Sequence, residues 1–159
     1  MTVRADHHIS VRVSDLDRSI RFYTEAVGGT LLTEPVVRNG PIIDEVFGQG
    51  AEARMCFVGF DSNSVELWQF LNPVTPIPYS DQPRLGIMHF AITVADVDAA
   101  AARVVAGGGK LRFPVKDLGG GDTPARFVYC EDPDGNVFEF LDTDLHGTLA
   151  RLRARNQGT

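Results

Sequence analysis

One pattern, written twice, constrains this chain more than any other. Near the N-terminus, His8-Ile9-Ser10-Val11-Arg12-Val13-Ser14-Asp15-Leu16 alternates apolar with polar residues. In the second half, Gly86-Ile87-Met88-His89-Phe90-Ala91-Ile92-Thr93-Val94-Ala95-Asp96-Val97 has the same design. In both copies an aspartate lies seven residues after a histidine, from His8 to Asp15 and from His89 to Asp96. Period-two alternation predicts a strand with one buried face. Ile9, Val11 and Val13 take that face, and His8, Ser10 and Arg12 point the other way. Each aspartate is placed to accept hydrogen bonds from the free amides of a first helical turn. Helical spacing follows, in Leu16, Ile20, Tyr23 and Val27 and again in Val97, Ala100, Ala101, Val104 and Val105. Glycines close both helices, Gly28-Gly29 and Gly107-Gly108-Gly109. A histidine-led strand and a capped helix, repeated, imply an internal duplication that sets two histidines in equivalent places.

The remainder of each half completes the same order. In the first half, strands are expected over 30–37, 53–60 and 65–71. Residues 41–50, with Asp44, Glu45 and Phe47, are expected to be a loop, and 61–64 a turn. Residues 72–85 hold four prolines, Pro73, Pro76, Pro78 and Pro83, and read as an extended linker. The second half gives strands over 110–115, 124–130 and 137–141, with a turn at Asp132-Pro133-Asp134-Gly135-Asn136. The glycine-rich stretch 117–123 lacks the lysine of a phosphate-binding loop and does not lead into a helix. The tail, 142–159, carries Leu145, Leu149 and Leu152 at helical spacing. The expected class is α+β: two βαβββ modules, 7–71 and 86–141, a linker and a helical tail, together one domain spanning 1–159.

Composition removes several functions. The formal charge is −6 with no long basic run, which argues against nucleic-acid binding. No apolar stretch reaches the length of a membrane span, and Arg4 and Asp6 follow the initiator at once, unlike a signal peptide. A cytoplasmic protein is expected. The two cysteines, Cys56 and Cys130, lie in apolar strand-like runs and read as buried free thiols.

Four residues recur in matched places: His8 and His89 on the first strands, Glu66 and Glu139 on the last. Two imidazoles and two carboxylates suit Zn²⁺, Ni²⁺, Co²⁺, Mn²⁺ or Fe²⁺. A single strand histidine is more often a satisfied polar residue than a ligand; that all four obey one pseudo-symmetry changes the balance. His7 and His146 fall outside the symmetry and read as surface residues.

On these residues the chain resembles the vicinal oxygen chelate superfamily, which includes glyoxalase I, methylmalonyl-CoA epimerase, extradiol dioxygenases and fosfomycin and bleomycin resistance proteins. The resemblance covers about residues 7 to 141. His8 with Asp15-Leu16-Asp17-Arg18-Ser19-Ile20-Arg21-Phe22-Tyr23, His89 with Asp96-Val97, and Glu131-Asp132-Pro133-Asp134-Gly135-Asn136 leading to Glu139 carry it. It implies paired βαβββ modules forming a curved mixed sheet around one divalent metal, held by His8, Glu66, His89 and Glu139. It implies a glyoxalase- or epimerase-like lyase or isomerase that abstracts a proton alpha to a metal-bound carbonyl. Glu139 or Glu66 would be the base, with Glu45 as a further candidate. Arg12 stands where glyoxalase I holds a glutathione carboxylate, whereas Phe70 replaces a glutathione-binding asparagine. Trp68 and Phe70 would then give an aromatic pocket suited to a cyclic or aromatic oxygenated substrate. The alternatives are an Fe²⁺-dependent extradiol-type dioxygenase, and a metal-free binding or resistance protein with Trp68 and Phe70 as a stacking platform. The partners implied are a small-molecule substrate and a second copy of the chain in a homodimer, without nucleic acid or membrane.

Overall fold

The computed structural model describes residues 7–61, 63–72, 86–119 and 124–157, with side chains as far as residue 154. The chain divides into two compact units, Met1–Leu85 and Gly86–Thr159. The proline-rich linker lies outside the described residues apart from Asn72.

The first unit contains β1 (Ile9–Arg12), α1 (Leu16–Arg21) with a π-helical extension (Phe22–Ala26), β2 (Thr30–Leu31), β3 (Val36–Arg38), α2 (Pro41–Phe47), β4 (Ala53–Gly59) and β5 (Ser64–Phe70). Its sheet runs β1-β5-β4-β2, with β3 also on β4. β1 lies parallel to β5, and β4 is antiparallel to β5. Asp15 caps α1 by accepting from Arg18 N. Gln69 of β5 secures the same corner: its Oε1 accepts from Leu16 N at 3.1 Å and its Nε2 donates to Ser14 O at 3.1 Å. Val11, Val13, Leu16, Tyr23, Cys56, Val58, Val65 and Leu67 are buried, so the alternating apolar face of the sheet meets the helix. Gly29 is required where this helix turns back, since a Cβ there would lie 2.5 Å from Val58 Cγ1.

Two expectations need correction here. The strand expected over 30–37 is two short pieces. Pro35 has no N–H to give to a ladder, and the chain leaves regular pairing between Leu31 and Val36, returning to β4 through Phe57 N donating to Thr33 Oγ1 at 3.0 Å. The segment expected as a loop over 41–50 begins with a helix, α2. Gly40, at φ +92°, turns the chain, and Pro41 suits a first helical position. Ile43 and Phe47, four apart, share a helical face. Ile43 packs on Ala53, Met55 and Trp68, and the Phe47 ring lies 5.3 Å from Trp68 and 5.0 Å from Phe70.

The second unit contains β6 (Phe90–Thr93), α3 (Val97–Ala106), β7 (Lys110–Leu111), β8 (Lys116–Asp117), β9 (Arg126–Glu131), β10 (Val137–Leu141) and α4 (Leu145–Gln157). Its sheet order, β6-β10-β9-β7 with β8 on β9, repeats the first. β6 is parallel to β10, and Asp96 caps α3 by accepting from Ala99 N. The core is Phe90, Val97, Ala100, Ala101, Val104, Val128, Cys130, Phe138 and Phe140. Val105, named with these residues at helical spacing, is 54% exposed. The strand expected over 110–115 shrinks to β7, Lys110–Leu111; β8, Lys116–Asp117, lies past its end, with Pro114 between the two. Asp132 holds the expected turn: Oδ1 accepts from Asp134 N and Asn136 N, and Oδ2 from Asn136 Nδ2. The tail is helical, but Leu145, Leu149 and Leu152 stay exposed. Both cysteines are free and buried; burial pushes the Cys56 thiol up to about 11 and Cys130 to about 12, so neither is a thiolate near neutrality. Among the described residues no helix is long and apolar enough to cross a membrane.

Candidate functional site: two histidine–glutamate pairs

Each unit places one histidine against one glutamate by the same strand register. In the first, Ser10 of β1 is opposite Glu66 of β5. His8 precedes Ser10 by two residues and so projects from the same face; its Nε2 lies 3.4 Å from Glu66 Oε2. In the second, Ala91 of β6 is opposite Glu139 of β10. His89, just before β6, brings Nε2 to 3.2 Å from Glu139 Oε2. Both pairs lie on the sheet face opposite the capped helix.

Their surroundings differ. Ser10 Oγ donates to Glu66 Oε2 at 2.6 Å, whereas the matching Ala91 has no hydroxyl. His7 is exposed, as expected, and its Nδ1 lies 2.7 Å from His8 Nδ1. Among the described residues, the buried His89 Nδ1 has no hydrogen-bond partner. The His8 ring meets Phe57 edge-on at 5.5 Å, and the His89 ring lies 4.6 Å from Tyr129. Burial raises the Glu139 carboxyl above its ordinary range, against the opposing pull of His89. Burial, then the neighbouring Glu139, raises the Tyr129 hydroxyl.

Beyond Glu66 on the same face, Arg12, Trp68 and Phe70 follow along β1 and β5. The Arg12 guanidinium stands 5.4 Å from the Phe70 ring centroid and 6.0 Å from that of Phe47. These three residues, with Gly48, Gln49, Gly50, Ala51 and Asn72, line a cavity of about 370 Å³. Asp44 shapes its rim, since Oδ1 accepts from Gly50 N at 2.8 Å and its carbonyl from Gly48 N at 2.8 Å. Trp68 is only 9% exposed and lies beneath α2, outside this lining. Glu45 is exposed on α2. Phe47 and Asn72 were not among the expected site residues. Phe47 belongs to a segment read as a loop, and Asn72 to one read as linker.

The donor chemistry fits a borderline divalent ion. Two ligands bound at about 2.1 Å stand about 3.0 Å apart at a right angle and about 3.4 Å apart at the tetrahedral angle. The Nε2–Oε2 separations, 3.4 and 3.2 Å, fall within that span. Among the described residues no group of three or more histidine, cysteine or acidic side chains could hold a metal.

The chain matches the Glyoxalase/Bleomycin resistance protein/Dioxygenase superfamily over residues 7–140 and belongs to that family. A lactoylglutathione lyase of Haemophilus influenzae is 31% identical over 138 residues, covering 85% of this chain and 90% of that protein. A probable chloroplastic lactoylglutathione lyase of Arabidopsis thaliana is 33% identical over 85% of this chain, which spans only 35% of that longer protein. A 2-epi-5-epi-valiolone epimerase of an Actinomyces species is 29% identical, over 87% of this chain and 79% of that one. The crystal structure of a glyoxalase family protein from Bacillus cereus superposes with a TM-score of 0.75 at 22% identity, over 89% of this chain and 95% of that one, and shows the shared α+β fold.

Proposed function

We propose that this protein is a divalent-metal-dependent lyase or isomerase that removes a proton alpha to the carbonyl of a small oxygenated substrate. The observation that carries this reading is the repeated histidine–glutamate pair, at 3.4 Å in one unit and 3.2 Å in the other. His8, Glu66, His89 and Glu139 would hold the ion. Two donors are too few for a resident catalytic metal, so one ion per chain is the stoichiometry that uses both pairs. When bound, such an ion polarises a carbonyl oxygen and acidifies the adjacent C–H.

Glu139 is the better placed base. Its burial favours the protonated carboxyl more than in water, which suits a group that takes a proton and returns it. Tyr129 is its register partner on β9, and the Tyr129 ring lies 4.6 Å from that of His89. Arg12, set between Phe47 and Phe70, orients the non-reacting end of the substrate in the 370 Å³ cavity. The relatives named as a lactoylglutathione lyase and as an epimerase support this class. A small molecule and a second copy of the chain are the partners this reading implies.

The test is proton NMR in D₂O with protein loaded in turn with Zn²⁺, Ni²⁺, Co²⁺ or Mn²⁺. The substrates are the hemithioacetal of methylglyoxal with glutathione and a panel of cyclic hydroxyketones. Deuterium entering at the alpha carbon is the expected result. No exchange with any metal, together with Fe²⁺-dependent oxygen uptake on a catechol, would replace this reading with a dioxygenase.

A further inference from the structure

The duplication is broken at one position that touches the candidate site. Ser10 and Ala91 hold the same register place, each directly across the strand pair from the glutamate. Only Ser10 carries a donor, and its hydroxyl meets Glu66 Oε2 at 2.6 Å, the short distance of a bond to an ionised carboxylate. The same oxygen faces His8 Nε2. With a metal on Nε2, the His8 proton must sit on Nδ1, and His7 Nδ1 at 2.7 Å is there to accept it. The first pair is thus tied at both ends, while Ala91, the register partner of Glu139, has no hydroxyl and, among the described residues, His89 Nδ1 has no hydrogen-bond partner.

From this asymmetry we infer that Ser10 is a positioning residue that fastens Glu66 as a fixed metal ligand. The inference rests on the metal-holding role proposed above. Glu66 would have to break the Ser10 bond to swing away.

Threonine and valine at position 10 differ only in the hydroxyl, have nearly the same shape, and both suit a strand. Co²⁺ titration calorimetry of the wild type, Ser10→Thr and Ser10→Val therefore isolates the hydrogen bond from packing. The expected result is wild-type affinity in Ser10→Thr and a dissociation constant raised about 10- to 100-fold in Ser10→Val, the usual effect of losing an outer partner of a ligand. Equal affinities in the two variants would overturn the role of Ser10 while leaving the metal site standing. A wild-type protein that takes up no Co²⁺ would overturn the metal reading itself. Metal-free melting curves verify that both variants keep the sheet.

Discussion

Nε2 of His89 stands 3.2 Å from Oε2 of Glu139, and the register that brings them together is the one that pairs His8 with Glu66. Parallel pairing of a first strand with a last strand does this in both units. Val13 N donates to Trp68 O and Val94 N to Leu141 O at matching positions, so the geometry follows from the repeated backbone and not from a local accident.

If Glu139 moves the proton, Glu139→Gln removes a general base while keeping the shape of the side chain. We expect kcat for alpha-deuterium exchange to fall about 10²- to 10⁴-fold, the range for loss of such a group. Glu45→Gln, on the exposed face of α2, should change it far less. Stopped-time NMR under saturating metal checks both, and a Glu45→Gln loss as large as that of Glu139→Gln would reassign the base.

Arg12 lies against two aromatic rings, at 5.4 Å from Phe70 and 6.0 Å from Phe47. Arg12→Lys keeps the charge but loses the flat guanidinium that stacks on both. Each such contact contributes about 0.5–1 kcal/mol at an exposed site, so KM should rise about 5- to 30-fold with kcat little changed. Steady-state kinetics would show instead a falling kcat at constant KM if Arg12 acted on the chemical step.

The two N-caps are equivalent in structure and should be so in energy. Asp15 accepts from Arg18 N at 3.0 Å and Asp96 from Ala99 N at 2.9 Å. Asp15→Ala and Asp96→Ala should each cost about 1 kcal/mol. Urea melts of the two variants, with unchanged slopes, would bear this out. A much larger loss in Asp15→Ala would mean that the Gln69 clamp on Leu16 N depends on the cap.

Much of this was legible in the sequence because it is carried by short-range chemistry. The seven-residue interval from histidine to capping aspartate, the alternation along β1 and the turn at Asp132 need no tertiary information. Glu66 and Glu139 stood out as carboxylates between apolar neighbours. What stayed hidden depends on contacts across the fold. Ile43 and Phe47 give α2 a face of only two residues, too short for a period to register. The Ser10–Glu66 bond joins residues 56 apart through a parallel strand pair whose register alternation alone does not set. His7 looked idle because it breaks the repeat, and for that same reason it distinguishes the first pair from the second.

Asp17 offers a pH test of how the first helix is held to its sheet. The Arg54 guanidinium forks onto its carboxylate, with Nη1 at 3.1 Å from Oδ2 and Nη2 at 2.9 Å from Oδ1, and this hydrogen bonding holds the Asp17 carboxyl below its usual 3.8. In the unfolded chain Asp17 lacks this partner and takes up its proton first as pH falls. The pair therefore contributes its full stabilisation above the ordinary carboxylate range and loses it as pH drops below 3.8 through the lower folded value. Wild type should melt slightly above Asp17→Asn near neutral pH, and the gap should close as the solution is acidified. Because both groups are partly exposed, salt should narrow the gap as well. Calorimetric melts from neutral pH down to about pH 2, at low and high salt, measure it. A gap that widened in acid would mean that Asp17 is destabilised when charged and that the fork to Arg54 does not persist in solution.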